Sequence, residues 1–357
     1  MNERPHLSVV IPTYGRREAV RRALTALATQ QLPASAYEVV VAIDGSEDGT
    51  RELVDSFAAP YTLRRLWQPN RGRAAACNAA TREARGEVIV FLDDDMEATP
   101  RLLAAHLRAH HGQSNLAVLG PVPMVCDPTS TPYVRYTAAR WGRKLTLLAE
   151  PGYVFRMIDF YTMNMSIRPG SLSRTGGFDE SFQIYGHEDR ELFLRLRSAG
   201  VVVAFCAAAV AHHRYLRPFC ALARNSVARG RTAVLLAEKH PALVRKPAAE
   251  VGDLAPLARF DQGPLARRLF RGAVLALSER LPCIPDGIAT LTERWERRRT
   301  LGPPLCYYHR AVYYYFCLGV RAAMRERAAS GHTASRADHA RQEGASSESG
   351  PSAPRGA

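Results

Sequence analysis

Phe91-Leu92-Asp93-Asp94-Asp95 is the stretch on which the reading of this chain turns. Glu87-Val88-Ile89-Val90 precedes it, apolar and β-branched enough for a buried strand. Three carboxylates then arrive at the strand exit, with Met96-Glu97 behind them. Adjacent like charges raise one another's pKa, and a cation among them relieves the repulsion. A hard divalent ion takes oxygen ligands and is held through one or two carboxylates together with substrate phosphates. In open α/β sheets, ligands bind beyond the carboxyl ends of the strands. A solvated acidic loop running into a helix at Thr99-Pro100 is the competing reading, and the commoner one for an acidic triplet alone.

The flanking chain shifts the balance. Leu7-Ser8-Val9-Val10-Ile11-Pro12 reads as a first buried strand, Thr13-Tyr14-Gly15 as a turn, and Arg16 to Thr29 as a helix through Val20, Leu24 and Leu27. Tyr37 to Ile43 is a second strand, ending in Asp44-Gly45-Ser46-Glu47-Asp48-Gly49-Thr50. Thr50 to Phe57 is helical and Tyr61 to Trp67 a third strand. Gln68-Pro69-Asn70-Arg71-Gly72-Arg73 then breaks the pattern before the alanine-rich helix Ala74 to Ala84. Strand-helix alternation of this kind predicts an α/β domain with a mostly parallel sheet and helices on both faces. Right-handed crossovers bring the strand exits to one edge, so the clusters at Thr13, Asp44 and Asp93 to Asp95 meet there.

Further along, Leu102 to His111 reads as a helix and Leu116 to Pro121 as a strand. Pro121 to Tyr161, proline-broken and aromatic, is expected to be a long irregular binding loop. A strand ends in Asn164-Met165-Ser166-Ile167-Arg168. Gly186-His187-Glu188-Asp189 opens a helix to Ala199, and one strand from Val201 to Val210 closes on His212-His213. Residues 1–217 are therefore expected to form the catalytic α/β domain, with a nucleotide half to about 121 and an acceptor half from about 122. Residues 218–327 read as helices: Phe219 to Lys239, Leu265 to Arg280, Asp286 to Arg299 and Cys306 to Arg327. Residues 328–357, nearly free of large apolar side chains, are expected to be disordered. Cys306 to Arg327 is both basic and aromatic. Such a helix packs on the rest of the protein or makes peripheral contact with an anionic membrane.

The net charge of +14 suits anionic partners, from nucleoside diphosphates to acidic lipid surfaces. No nucleic-acid reading motif accompanies it, so no specific nucleic acid is expected. The seven cysteines include no C-x-x-C pair and read as reduced. The N-terminus has no apolar leader and no run is long enough for a bilayer, so a cytoplasmic protein is expected, at most peripheral at the inner face of the cell membrane.

Taken in order, Val9-Val10-Ile11-Pro12-Thr13-Tyr14, Asp44-Gly45-Ser46-Glu47-Asp48-Gly49-Thr50, Asn70-Arg71-Gly72 with Asn78, Phe91-Leu92-Asp93-Asp94-Asp95 and Gly186-His187-Glu188-Asp189 resemble the motifs of glycosyltransferase family 2, over about Leu7 to Tyr215. Ile43 departs from the pattern, which often carries a second acidic residue there; Asp44 matches. The resemblance implies the GT-A fold and a bacterial-type, metal-dependent inverting enzyme. It moves a sugar from a nucleoside diphosphate, most often uridine diphosphate in the family, to a glycan, lipid-linked or small-molecule acceptor, as in polysaccharide biosynthesis. Pro12, Thr13 and Tyr14 would shape the nucleotide floor and Asp44 would accept from the base. Asn70, Arg73, Asn78, Asp93 and Asp94 would complete the donor side. Asp95, with Asp93 and with His212 in preference to His213, would hold Mn2+ or Mg2+. Asp189 would be the general base, its pKa raised by Glu188 beside it. The bland alternatives are a turn residue for Asp44, an exposed helix-start arginine for Arg73 and helix N-terminal acids for Glu188 and Asp189. A nucleotidylyltransferase needs more glycines after the first strand than Pro12-Thr13-Tyr14-Gly15-Arg16 offers. A non-catalytic sugar-nucleotide binder does not need both Asp95 and Asp189.

Overall fold

The structure, a computed structural model, describes residues 4–214, 218–251, 265–298 and 305–347. One sheet contains β1 (Leu7–Thr13), β2 (Tyr37–Asp44), β3 (Thr62–Gln68), β4 (Val88–Leu92), β6 (Leu116–Leu119), β7 (Asn164–Ile167) and β8 (Val202–Phe205), in the order β3-β2-β1-β4-β7-β6-β8. The first four strands pair in parallel; β7 runs antiparallel to both of its neighbours. A separate antiparallel pair joins β5 (Met96–Ala98) to β9 (Ala211–His213). Every residue of β1, β2 and β4 is buried, as strands covered on both faces must be.

Helices α1 (Arg17–Leu27), α2 (Thr50–Ser56), α3 (Arg73–Glu83) and α4 (Leu102–Ala109) follow strands as the alternation predicts. The segment expected to be an irregular loop instead contains α5 (Pro132–Leu148). Thr131 caps it by accepting from the Val134 amide at 3.3 Å, and Pro132 occupies the first turn, where its missing N–H is not needed. After α6 (Pro169–Ser173) and α7 (Glu188–Ser198), the strand expected from Val201 to Val210 is split. Cys206 turns the chain by accepting from the Ala209 amide, and β8 and β9 then join different sheets.

The C-terminal part is helical: α8 (Phe219–Lys239), α9 (Ala248–Val251), α10 (Leu265–Arg280), α11 (Cys283–Arg297) and α12 (Leu305–Ser347). Where disorder was expected from Ala328, helix continues to Ser347; alanine, arginine and glutamate there are good helix formers. Residues 348–357 lie outside the described residues, as does the 217 boundary. Helix α12 crosses α8 with backbones in contact. A Cβ on Gly319 would stand 1.9 Å from the Val227 carbonyl oxygen, so only glycine fits. Tyr308, Tyr315 and Phe316 are buried within the protein, and Arg321 and Arg325 pair with Glu279. The basic aromatic helix thus packs inward. Among the described residues no helix is long and apolar enough to cross a membrane.

Candidate active site

Parallel register sets Thr13 opposite Ile43 and Val10 opposite Phe91, so the chain leaves β1, β2 and β4 at one edge. There the buried Asp94 accepts from the Thr13 hydroxyl at 2.8 Å and from Arg16 Nη1 at 2.6 Å. The same Nη1 donates to Asp95 Oδ2 at 2.8 Å. Burial pushes the Asp94 carboxyl up to about 6, against the pull of Arg16. Arg16 is a site residue that sequence reasoning missed. The available signal was a cation just past the Pro12-Thr13-Tyr14 turn, at the edge where the acidic triplet needs one.

Asp93 faces the other way and accepts from Arg73 Nη2 at 2.7 Å. Arg73 Nη1 lies 3.7 Å from Glu188 Oε1, so one guanidinium spans the metal-motif acid and the α7 acid. Pairing of β5 with β9 sets His213 opposite Met96 and His212 opposite Glu97. His213 Nε2 lies 3.5 Å from Asp95 Oδ2, whereas His212 is exposed on the other face. His213, not the preferred His212, therefore stands beside the acidic triplet. Strand side chains alternate, and the register with β5 decides which histidine turns inward. Asp95 and His213 fit a divalent ion in chemistry: carboxylate oxygen and imidazole nitrogen suit manganese or magnesium. Among the described residues no group of three His, Cys, Asp or Glu side chains is arranged to hold a metal.

Asp44 is buried at the end of β2. Its carboxylate accepts from the Arg71 and Gly72 amides, each at 2.9 Å, and from Gln68 Nε2 at 2.7 Å. It holds the Asn70-Arg71-Gly72 turn, so the turn role is real whatever else it binds. We expect Asp44→Ala to leave two amides unpaired and to lower unfolding free energy by about 2–4 kcal/mol, measured by urea titration. Unchanged stability with weaker nucleotide binding would instead mark a residue that acts only on a ligand. Asn78, expected near the donor, accepts from the Phe178 amide and donates to the Phe178 carbonyl and Glu180. Both ends of its amide thus fasten α3 to the 178–180 segment. Pro12 is buried in β1; Tyr14 and Asn70 are exposed at the edge.

The turn before α7 is strained. His187 is the only non-glycine residue with positive φ among those described, at 69°. Its Nδ1 shares a 2.8 Å hydrogen bond with Thr232 Oγ1 of α8. Gly186 is forced by contact as well: a Cβ there would lie 2.7 Å from Arg229 Cγ. This turn delivers Glu188 and Asp189 to an open cleft of about 280 Å³, which Asp93, Arg73, Trp141 and Tyr185 also line. Glu188 is buried, and burial with neighbouring Asp189 pushes its carboxyl up to about 7. Asp189 is partly exposed and accepts from the Arg190 amide at 2.8 Å.

A mixed sheet with acids at a strand exit, facing a second acidic pair across a cleft, is the arrangement of the GT-A fold. Residues 8–175 match the family model for Glycosyl transferase family 2, and residues 144–217 match that described as the N-terminal domain of galactosyltransferase. Residues 8–175 thus form a glycosyl transferase family 2 domain. The chain is 32% identical over 221 residues to validoxylamine A glucosyltransferase of Streptomyces hygroscopicus subsp. jinggangensis, covering 55% of this chain and 52% of that protein. It is 30% identical over 240 residues to the uncharacterized glycosyltransferase YfnE of Bacillus subtilis, covering 54% and 61%. The chain thus spans about half the length of the first of these relatives. In fold it is similar to mannosyltransferase PcManGT of Pyrobaculum calidifontis, solved with GDP-Man and Mn2+. That match has 20% identity and a TM-score of 0.55, over 90% of this chain and 87% of that one. It is also similar to S. aureus TarS 1-349 in complex with UDP-GlcNAc, at 19% identity and a TM-score of 0.51, over 90% and 91%.

Proposed function

We propose that the protein is a metal-dependent inverting glycosyltransferase. It transfers a sugar from a nucleoside diphosphate, with UDP as the expected carrier, to a hydroxyl of a glycan, lipid-linked or small-molecule acceptor. The observation that carries this reading is the single cleft shared by Asp93, from the strand exit, and Asp189, from α7. A donor held at the first presents its anomeric carbon towards an acceptor held at the second. A divalent ion bound by Asp95, His213 and the donor diphosphate would neutralise the leaving group as a Lewis acid.

Asp189 takes the acceptor proton as the hydroxyl attacks from the side opposite the diphosphate. Burial and the neighbouring Asp189 push the Glu188 carboxyl up to about 7, so Asp189 stands beside a carboxyl that is slower to ionise than an exposed one. Arg73 holds Asp93 and balances Glu188. Trp141 donates its indole N–H to the Val122 carbonyl at 2.9 Å, which fixes its ring as a wall of the acceptor side. The fold neighbours solved with GDP-Man and with UDP-GlcNAc support a sugar-nucleotide donor.

The test is a melting screen of nucleotide sugars with Mn2+ and with EDTA. A donor at a hundred times its Kd adds about 2.7 kcal/mol, a shift of a few degrees. We expect that shift with a UDP-sugar and Mn2+, its loss in EDTA, and metal-dependent release of UDP. Equal shifts in EDTA would remove the metal from the reading, and no shift with any nucleotide sugar would remove the donor.

A further inference from the structure

The atom of Asp95 nearest His213 is already taken. Oδ2 lies 3.5 Å from His213 Nε2 and also accepts from Arg16 Nη1 at 2.8 Å. That nitrogen donates as well to Asp94 Oδ1 at 2.6 Å. The Asp94 and Asp95 side chains are each 6% exposed, Arg16 29%. Two nearly buried carboxylates therefore share the Arg16 guanidinium, whose single positive charge offsets one of their two negative charges, and the arginine is the most exposed member of this triad. A buried pair that loses its opposite charge is strongly destabilised, so some cation must always be present here.

We propose that Arg16 is a resident counter-ion which a divalent metal must displace from Asp95. Its release couples metal binding to donor binding. This inference rests on the metal-dependent reading of the site. A metal arriving alone must break the Arg16–Asp95 ion pair and leave the guanidinium without that partner. A metal arriving with a diphosphate gives the released guanidinium a new anion, since arginine matches phosphate as well as carboxylate. Metal and nucleotide then strengthen each other's binding, and by linkage the effect is reciprocal.

The experiment measures Mn2+ affinity by calorimetry and by the free-ion EPR signal, with and without saturating UDP, in the wild type and Arg16→Gln. Removing the competitor should tighten binding of Mn2+ alone by about tenfold or more. Affinity in the presence of UDP should change by less than about threefold, so the UDP-dependent enhancement shrinks correspondingly. A purely structural arginine predicts the opposite, because its loss loosens the acidic cluster; equal or weaker binding of Mn2+ alone in Arg16→Gln overturns the proposal. Should that variant fail to fold, Arg16→Lys serves. Its single ammonium is a poorer bridge, and Mn2+ alone should bind about threefold tighter. Binding no tighter than wild type again overturns the proposal. If the wild type binds no Mn2+ even with UDP, the metal-dependent reading itself fails, and this inference with it. Tight, UDP-independent Mn2+ binding by the wild type would leave that reading intact and refute the coupling alone.

Discussion

Asp189→Asn is expected to lower kcat by about 10²–10⁴-fold while leaving Mn2+ and UDP binding within about twofold of the wild type. The amide keeps the size of the side chain and its bond from the Arg190 amide, at 2.8 Å in the native chain, so the cleft should persist. What disappears is the group that accepts a proton. The loss corresponds to about 3–5 kcal/mol of transition-state stabilisation. Because Asp189 stands on the α7 side of the cleft and the acidic triplet on the other, binding and turnover should separate in this variant. Single-turnover product formation, beside calorimetric UDP binding, reads both. Undiminished turnover would take Asp189 out of the chemistry.

A second large effect is expected on stability. His106 of α4 and His110, the residue that ends this helix, are fully buried. Asn164 donates through Nδ2 to the Ala209 carbonyl at 2.8 Å, so its oxygen accepts from His106 Nε2 at 3.0 Å. His106 Nδ1 then accepts from the Ser166 hydroxyl at 2.8 Å, and the Ser166 oxygen accepts from His110 Nε2 at 2.9 Å. Every proton in this row is placed for two neutral rings. Burial lowers both pKa values to about 4, helped at His110 by His106 and Arg168. The folded values lie below the unfolded value of about 6.5, so the stabilisation is present above pH 6.5 and is lost as pH falls towards 4. Each ring accounts for about 3 kcal/mol at most. Urea unfolding from pH 7 to pH 4.5 should show the decline, and His110→Leu should remove roughly half of it; an unchanged slope in that variant would rule the pair out as its source.

The strands that carry the site were legible because β1, β2 and β4 are largely apolar, broken near their starts only by Ser8 and Glu38, and each is closed by a polar turn. Their parallel order followed from the helices between them, and the meeting of Thr13, Asp44 and the acidic triplet followed from that order. What could not be read depended on partners far along the chain. Arg16 and Asp94 are 78 residues apart, and nothing local announces their bond. Choosing His213 over His212 required the register of β9 against β5, a pairing of two three-residue strands. Helix α5 was hidden differently. Its Thr131-Pro132 start was present in the sequence, but the prolines upstream and the charges at Arg135, Arg140, Arg143 and Lys144 blurred its apolar spacing. The bonds of Asn78 to Phe178 and Glu180, about a hundred residues on, were equally out of reach of a local reading.

The helix that steadies the strained turn before Glu188 belongs to a part of the chain beyond both family-model matches. Thr232 and Arg229 of α8 press on His187 and Gly186, and α8 is itself locked against α12 through facing glycines. The turn that carries Glu188 and Asp189, the proposed proton acceptor, is thus held by a helix that neither family-model match reaches. A tilt of α8 against α12 would therefore move the backbone that presents these two acids to the cleft, a lever some forty residues along the chain from the turn it bears on.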